Sequence, residues 1–228
     1  MYTIELIGQK GGTGKTTVAT ILSVAAARSG LATVLIDLDP QANASNWKDR
    51  RRQEDGPAVI AIPPSRLPHT LRTAQANGAD MGVIDAPGKQ DSTAIEAARA
   101  ADLVLIPTRP QIFELETLAA IRNLLRVAGD PKAYVLLNGL HPQAKRAAEE
   151  AKAMIEPNFG FPACPVHLCQ RRSYGEAPTT GSVADEIDPD GAAAEECKQL
   201  YSWIRQQMKQ SGKAYGSNQK DFSTRKRA

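Results

Sequence analysis

Ten residues near the start of the chain, Gly8-Gln9-Lys10-Gly11-Gly12-Thr13-Gly14-Lys15-Thr16-Thr17, carry the clearest chemistry in the sequence. Glycines at 11, 12 and 14 let a backbone wrap closely around phosphate groups with its N–H donors turned inward. A helix starting at Lys15 adds the positive end of its dipole. In such a loop Lys15 reaches the β and γ phosphates of a nucleotide, and the Thr16 hydroxyl is a ligand for Mg2+. The strict phosphate-loop spacing asks for glycine at position 9, where Gln9 stands. Gly11, Gly12, Thr13, Gly14, Lys15, Thr16 and Thr17 are therefore the candidate nucleotide-binding residues.

Two more segments put carboxylates at the ends of apolar runs. In Val34-Leu35-Ile36-Asp37-Leu38-Asp39-Pro40-Gln41-Ala42-Asn43, Asp37 and Asp39 are two residues apart. On a strand they point to the same side, and carboxylates held there need a cation or ordered water. Capping of the turn before Pro40 is the alternative for one of the two. Val83-Ile84-Asp85-Ala86-Pro87-Gly88 is a second apolar run ending in an acid. Alone it is weak evidence; as a third element in chain order it is strong.

Lys10 is the informative departure. Lys-Gly-Gly-x-Gly-Lys-Thr-Thr resembles the deviant Walker A motif of the ParA and MinD superfamily, Val34 to Asn43 looks like its Walker A′ segment, and Val83 to Gly88 resembles a Walker B. The resemblance covers nearly all of residues 1 to 210. It implies ATP and Mg2+ as cofactors, with Lys10 contacting ATP on the other subunit of a homodimer. It also implies that Lys15 stabilises phosphoryl charge, Asp39 orients the attacking water, Thr16, Asp37 and Asp85 serve the metal, and Gly88 lies near the γ-phosphate. Asn138 stands where the superfamily often reads the adenine edge, with a turn residue before Gly139 as the equal alternative. Ile106 to Gln111 resembles a proline-rich segment near the dimer interface, although Gln111 and Glu114 depart from its usual residues. Cys169 to Ala177 looks like the Gln-Arg-x-x-Tyr segment of short ParA proteins, making Arg171 and Arg172 candidates for DNA contact beside the C-terminal cations.

The elements that must position these residues alternate from the first residue. Strands are expected at Tyr2 to Ile7, Leu31 to Asp37, Ala58 to Ile62, Met81 to Asp85, Leu103 to Pro107, Ala133 to Asn138 and Pro162 to His167. Helices are expected at Lys15 to Ser29, Ser65 to Ala76, Ser92 to Ala100, Ile112 to Val127, Gln143 to Ile155 and Pro189 to Gln210. Continuous apolar strands between helices describe an α/β fold, a doubly wound, mostly parallel sheet with helices on both faces, as in P-loop NTPases. Ligands in such sheets sit at the carboxyl ends of the strands. The three motifs fall there.

Composition fits one domain. The 228 residues are 42% hydrophobic and 23% charged, and no apolar run approaches the roughly 20 residues of a membrane span. No secretory signal is visible, so the cytoplasm is the expected location. Cys164, Cys169 and Cys197 read as buried thiols; His167 between the first two raises a metal site, for which no second ligand pair exists. The net charge of +3 divides unevenly: from Arg205 onward seven basic residues face one acid. Residues 1 to 210 are thus read as one ATPase domain and 211 to 228 as a basic, disordered tail that either binds polyanions or is merely solvated.

The function this implies is a short ParA-type ATPase for plasmid or chromosome partition. It forms an ATP-dependent sandwich homodimer, binds nonspecific DNA on the nucleoid, and is released when a ParB-like centromere-binding partner stimulates hydrolysis. No helix-turn-helix domain is expected ahead of the first strand. A tail with only Tyr215 and Phe222 as large apolar residues argues against a MinD-like membrane anchor. Positioning of a protein cargo, or a metabolic P-loop enzyme, are the alternatives.

Overall fold

A computed structural model describes residues 1–88 and 92–213. Most of the expected tail lies outside the described residues. Seven strands form one sheet: β1 (Tyr2–Leu6), β2 (Thr33–Asp37), β3 (Ala58–Ala61), β4 (Met81–Asp85), β5 (Leu103–Thr108), β6 (Ala133–Leu140) and β7 (Leu168–Cys169), in the order β3-β2-β4-β1-β5-β6-β7. Every pairing among the described strands is parallel, so the sheet is wholly rather than mostly so. β1, β2, β4 and β5 are buried at every position, which explains their unbroken apolar sequences.

The helices are α1 (Lys15–Arg28), α2 (Asn43–Arg50), α3 (Leu67–Ala76), α4 (Ser92–Ala100), α5 (Ile112–Leu115), α6 (Thr117–Val127), α7 (Lys145–Phe159), α8 (Arg172–Glu176), α9 (Ala184–Ile187) and α10 (Ala192–Gln210). One core joins Ile4 and Leu6 of β1 to Val18 and Leu22 of α1 and Leu200 and Ile204 of α10. Another joins Val104 and Ile106 of β5 to Leu118 and Ile121 of α6 and Ile155 of α7. The sheet is therefore covered on both faces. Gly30, with φ +87, ends α1 as expected of a left-handed glycine after a helix.

Three local expectations are corrected. The last strand falls at Leu168–Cys169, not Pro162 to His167. Pro162 and Pro165 have no N–H for a ladder, and the earlier stretch keeps only an isolated bridge between Ala163 and Val135. α7 runs past Ile155 to Phe159 despite Pro157, and ends at Gly160 with φ +70. The helical stretch from Ile112 to Val127 is divided into α5 and α6.

Candidate nucleotide-binding site

Because β2, β4 and β1 are neighbours, the segments after them meet at one edge of the sheet. Register pairs Leu6 with Asp85 and Asp37 with Asp85. The glycine loop leaves β1 beside both acids and enters α1, whose first residue is Lys15. A cavity of about 820 Å3 opens there, lined by Gly11, Gly12, Lys15 and Thr16 from the loop and Asp39 and Gly88 facing them. This volume suits a nucleotide-sized ligand.

The loop has the expected conformation. Gly12 and Gly14 have φ of +80 and +97, values open to glycine but strained for other residues. A Cβ on Gly14 would also collide with Asn138 Nδ2. Lys15 is buried, its Nζ donating to the Lys10 carbonyl at 3.3 Å. Burial holds its ammonium below the usual lysine range, opposed by the charges of Asp85 and Asp39.

Thr16 Oγ1 donates to Asp85 Oδ2 at 2.6 Å, while the other Asp85 oxygen is buried without a partner. Burial pushes the Asp85 carboxyl up to about 7, against the Thr16 hydrogen bond and with the added repulsion of Asp37. A buried acid with one orphan oxygen beside a hydroxyl and an ammonium lacks positive charge, which fits a cation bound through water. Among the described residues no group of three His, Cys, Asp or Glu side chains could hold a metal alone. Mg2+ takes few protein ligands and completes its shell with phosphate and water. Cys164, Cys169 and Cys197 are free and buried, as expected of structural thiols.

Asp37 has more partners than the sequence indicated. Its Oδ1 accepts from Asp39 N at 3.1 Å, and its Oδ2 from Ser45 N and Oγ at 3.0 and 3.3 Å. It thus ties the segment after β2 to the first turn of α2. Asp39 accepts from Gln41 N at 2.9 Å and lines the cavity. α2 went unrecognised in the sequence, and it is firmly held: Trp47 Nε1 donates to Ser182 O at 2.9 Å, and Arg51 makes a paired bond to both oxygens of Glu186.

Lys10 is directed away from its own loop. Its Nζ donates to the Phe113 carbonyl at 3.1 Å and lies 3.7 Å from Glu114 Oε1. Thr13, Thr17 and Asn138 complete the set of expected binding residues. Asn138 Nδ2 donates to Thr13 O at 2.7 Å, and Arg109 Nη2, not singled out from the sequence, donates to Gly12 O at 2.9 Å. Thr17 lines the cavity with Thr16.

Away from the cavity, Arg171 and Tyr174 converge on Glu196 of α10. Glu196 accepts from Arg171 Nε and Nη2, Tyr174 Oη and Cys169 N, all at 2.9 to 3.1 Å. The Gln-Arg-x-x-Tyr segment is thus anchored to α10, with Arg171 engaged inside the chain. Arg172 pairs with Glu176 on the surface. No described helix is long and apolar enough to cross a membrane.

The family model for the CobQ/CobB/MinD/ParA nucleotide binding domain matches residues 4–207. The chromosome-partitioning ATPase Soj of Thermus thermophilus is 26% identical, the match covering 86% of this chain and 92% of Soj. The maintenance of carboxysome distribution protein A of Gloeobacter kilaueensis is 30% identical, over 78% of this chain and 81% of that protein. Among solved structures, the septum site-determining protein MinD of Pyrococcus horikoshii, complexed with Mg-ADP, superposes with a TM-score of 0.72 at 21% identity, covering 89% of this chain and 95% of MinD. With its sheet order, phosphate loop and family match in agreement, the chain belongs to the CobQ/CobB/MinD/ParA nucleotide-binding domain family, and so to the ParA/MinD superfamily of ATPases.

Proposed function

We propose that this protein is a positioning ATPase of the partition type. It binds ATP with Mg2+, pairs as an ATP-dependent sandwich homodimer, holds nonspecific DNA in that state, and lets go when a ParB-like centromere-binding partner stimulates hydrolysis. The observation that carries the reading is the convergence of Lys15, the Thr16–Asp85 pair and Asp39 on one cavity. In this reading residues 1 to 210 form one ATPase domain and 211 to 228 a basic tail. The protein works in the cytoplasm, associated with the nucleoid when ATP-bound.

Within the site, the loop amides and Lys15 hold the β and γ phosphates, and Thr16 and Asp85, with Asp37 behind them, hold the metal. Mg2+ when bound neutralises charge on the transferring phosphoryl group. Asp39 positions the attacking water, and Lys10 of the second subunit completes the charge stabilisation, so a lone subunit turns over slowly. The likeness to Soj supports a DNA cargo. The 30% identity to a carboxysome-distribution protein supports a second reading, in which the same cycle positions a protein cargo.

The test is retention on nonspecific duplex DNA with ATP and Mg2+ against ADP, across a salt series. Retention with ATP alone, falling steeply with salt, supports the proposal. Good ATP binding without nucleotide-dependent retention would sink the DNA cycle and favour a metabolic P-loop enzyme.

A further inference from the structure

A phosphate loop faces a problem before its ligand arrives. Its N–H groups converge on an empty space, their positive ends repelling one another, while its carbonyls turn outward and need donors of their own. In this chain two outward carbonyls, on consecutive residues, are each met by a side chain. Arg109 Nη2 donates to Gly12 O at 2.9 Å, and Asn138 Nδ2 donates to Thr13 O at 2.7 Å. Arg109 directly follows β5, and Asn138 lies on β6.

The two donors are positioned by the sheet's second half, not by the loop itself. β5 pairs with both β1 and β6, so the ends of these strands lie side by side. β6 is irregular between Asn138 and Leu140, where Gly139 has φ +70. A Cβ on Gly139 would meet the Arg109 stem at 3.8 Å, so arginine and glycine pack directly. The absent side chain at Gly14 leaves the space that Asn138 Nδ2 occupies.

We propose that Arg109 and Asn138 are positioning residues for nucleotide binding, a two-point clamp that fixes the Gly12 and Thr13 carbonyls outward and so presents the loop amides to phosphate before nucleotide binds. The benefit is preorganisation: a loop already ordered loses less freedom on binding. The Arg109 bond is charge-assisted and therefore the stronger kind. The inference rests on the family's nucleotide site and needs no particular cargo.

The test combines two measurements on Arg109→Ala, Arg109→Lys and Asn138→Ala. Binding of the fluorescent analogues mant-ADP and mant-GDP gives affinities, and amide hydrogen exchange of nucleotide-free protein reports on loop order. Each alanine variant is expected to weaken both nucleotides by the same factor, about five- to tenfold, the value of one such hydrogen bond. Amides of residues 11 to 16 should exchange faster while those of β1 and β4 do not change. Arg109→Lys, which keeps a cationic donor, should restore most of the affinity.

Unchanged affinity and unchanged loop exchange would overturn the clamp. So would equal acceleration of β1 and β4 amides, which would make the two residues general supports of the fold. A loss confined to the adenine nucleotide would make Asn138 a base reader and also overturn it. Failure of the unaltered protein to bind either analogue would instead overturn the nucleotide site itself.

Discussion

The Lys10 ammonium is held by its own chain, 3.1 Å from the Phe113 carbonyl and 3.7 Å from the Glu114 carboxylate. The lysine that the proposed function assigns to a second subunit is therefore parked on α5, beside Ile112 and Phe113, which are 57% and 73% exposed. Lys10 is half exposed, and pairs of this kind contribute less than about 1 kcal/mol. Release is thus cheap. Glu114→Gln is expected to shift the ATP-dependent dimerisation constant by less than about fivefold, toward dimer, whereas Lys10→Ala removes ATP-dependent dimerisation. Sedimentation velocity with ATP and with ADP reads both. A Lys10→Ala variant that dimerised normally would show that the lysine acts within its own subunit.

Thr16 and Lys15 should separate metal from nucleotide. Thr16 is bonded to Asp85, the acid that burial leaves short of positive charge, while Lys15 is buried at the loop. In thermal melts with ADP, Mg2+ is expected to raise the midpoint of the unaltered protein. In Thr16→Ala the nucleotide still binds but Mg2+ adds little. Lys15→Ala should lose the response to nucleotide altogether. An unchanged Mg2+ response in Thr16→Ala would remove Thr16 from the metal site.

Glu5 sits in the middle of the sheet, fully buried, with neither oxygen paired. Its register neighbours are Ile84 and Val104, and burial alone raises its pKa well above the ordinary 4.5. Above that ordinary value the unfolded chain has released the proton that the folded chain keeps. Stability therefore falls as pH rises toward the folded pKa, by at most about 1.4 kcal/mol per pH unit for one proton. Glu5→Met should melt higher than the unaltered protein, by a margin that grows as pH rises above about 5. Two melting profiles that stay parallel with pH would disprove this.

What the sequence makes legible follows from how each feature is encoded. β2 and β4 are buried on both faces, so their apolar runs announce them, and the acids ending them stand out. The glycine loop is local and equally plain. α2 was not, because Asn43–Arg50 offers only Ala44 and Trp47 as buried residues, and its hold on the fold comes from Ser182, far along the chain. Likewise, nothing local joins Arg109 to Gly12, 97 residues away, or Arg171 to Glu196. A glutamate inside a strand ordinarily marks a solvent-facing position, and Glu5 breaks that rule. Sequence pattern found what depends on burial and turns, and missed the side-chain bonds that the topology creates.

Arg171 tests how basic residues divide between structure and the proposed DNA contact. Its guanidinium is committed to Glu196 through two donors, and Glu196 also holds Tyr174 and the Cys169 amide. Removing one member of a partly buried pair leaves the other unsatisfied, at a cost of about 2 kcal/mol. Lys198, Arg205 and Lys209 of α10, by contrast, are exposed and spaced to share one side of the helix. Arg171→Ala is thus expected to lower the urea midpoint while leaving the salt dependence of DNA retention unchanged. Replacing Arg205 and Lys209 together by alanine should leave stability within about 0.5 kcal/mol and reduce the salt slope by up to about two, close to one for each lost phosphate contact. A reduced slope in Arg171→Ala at full stability would reverse the assignment and move the DNA face to the segment around α8.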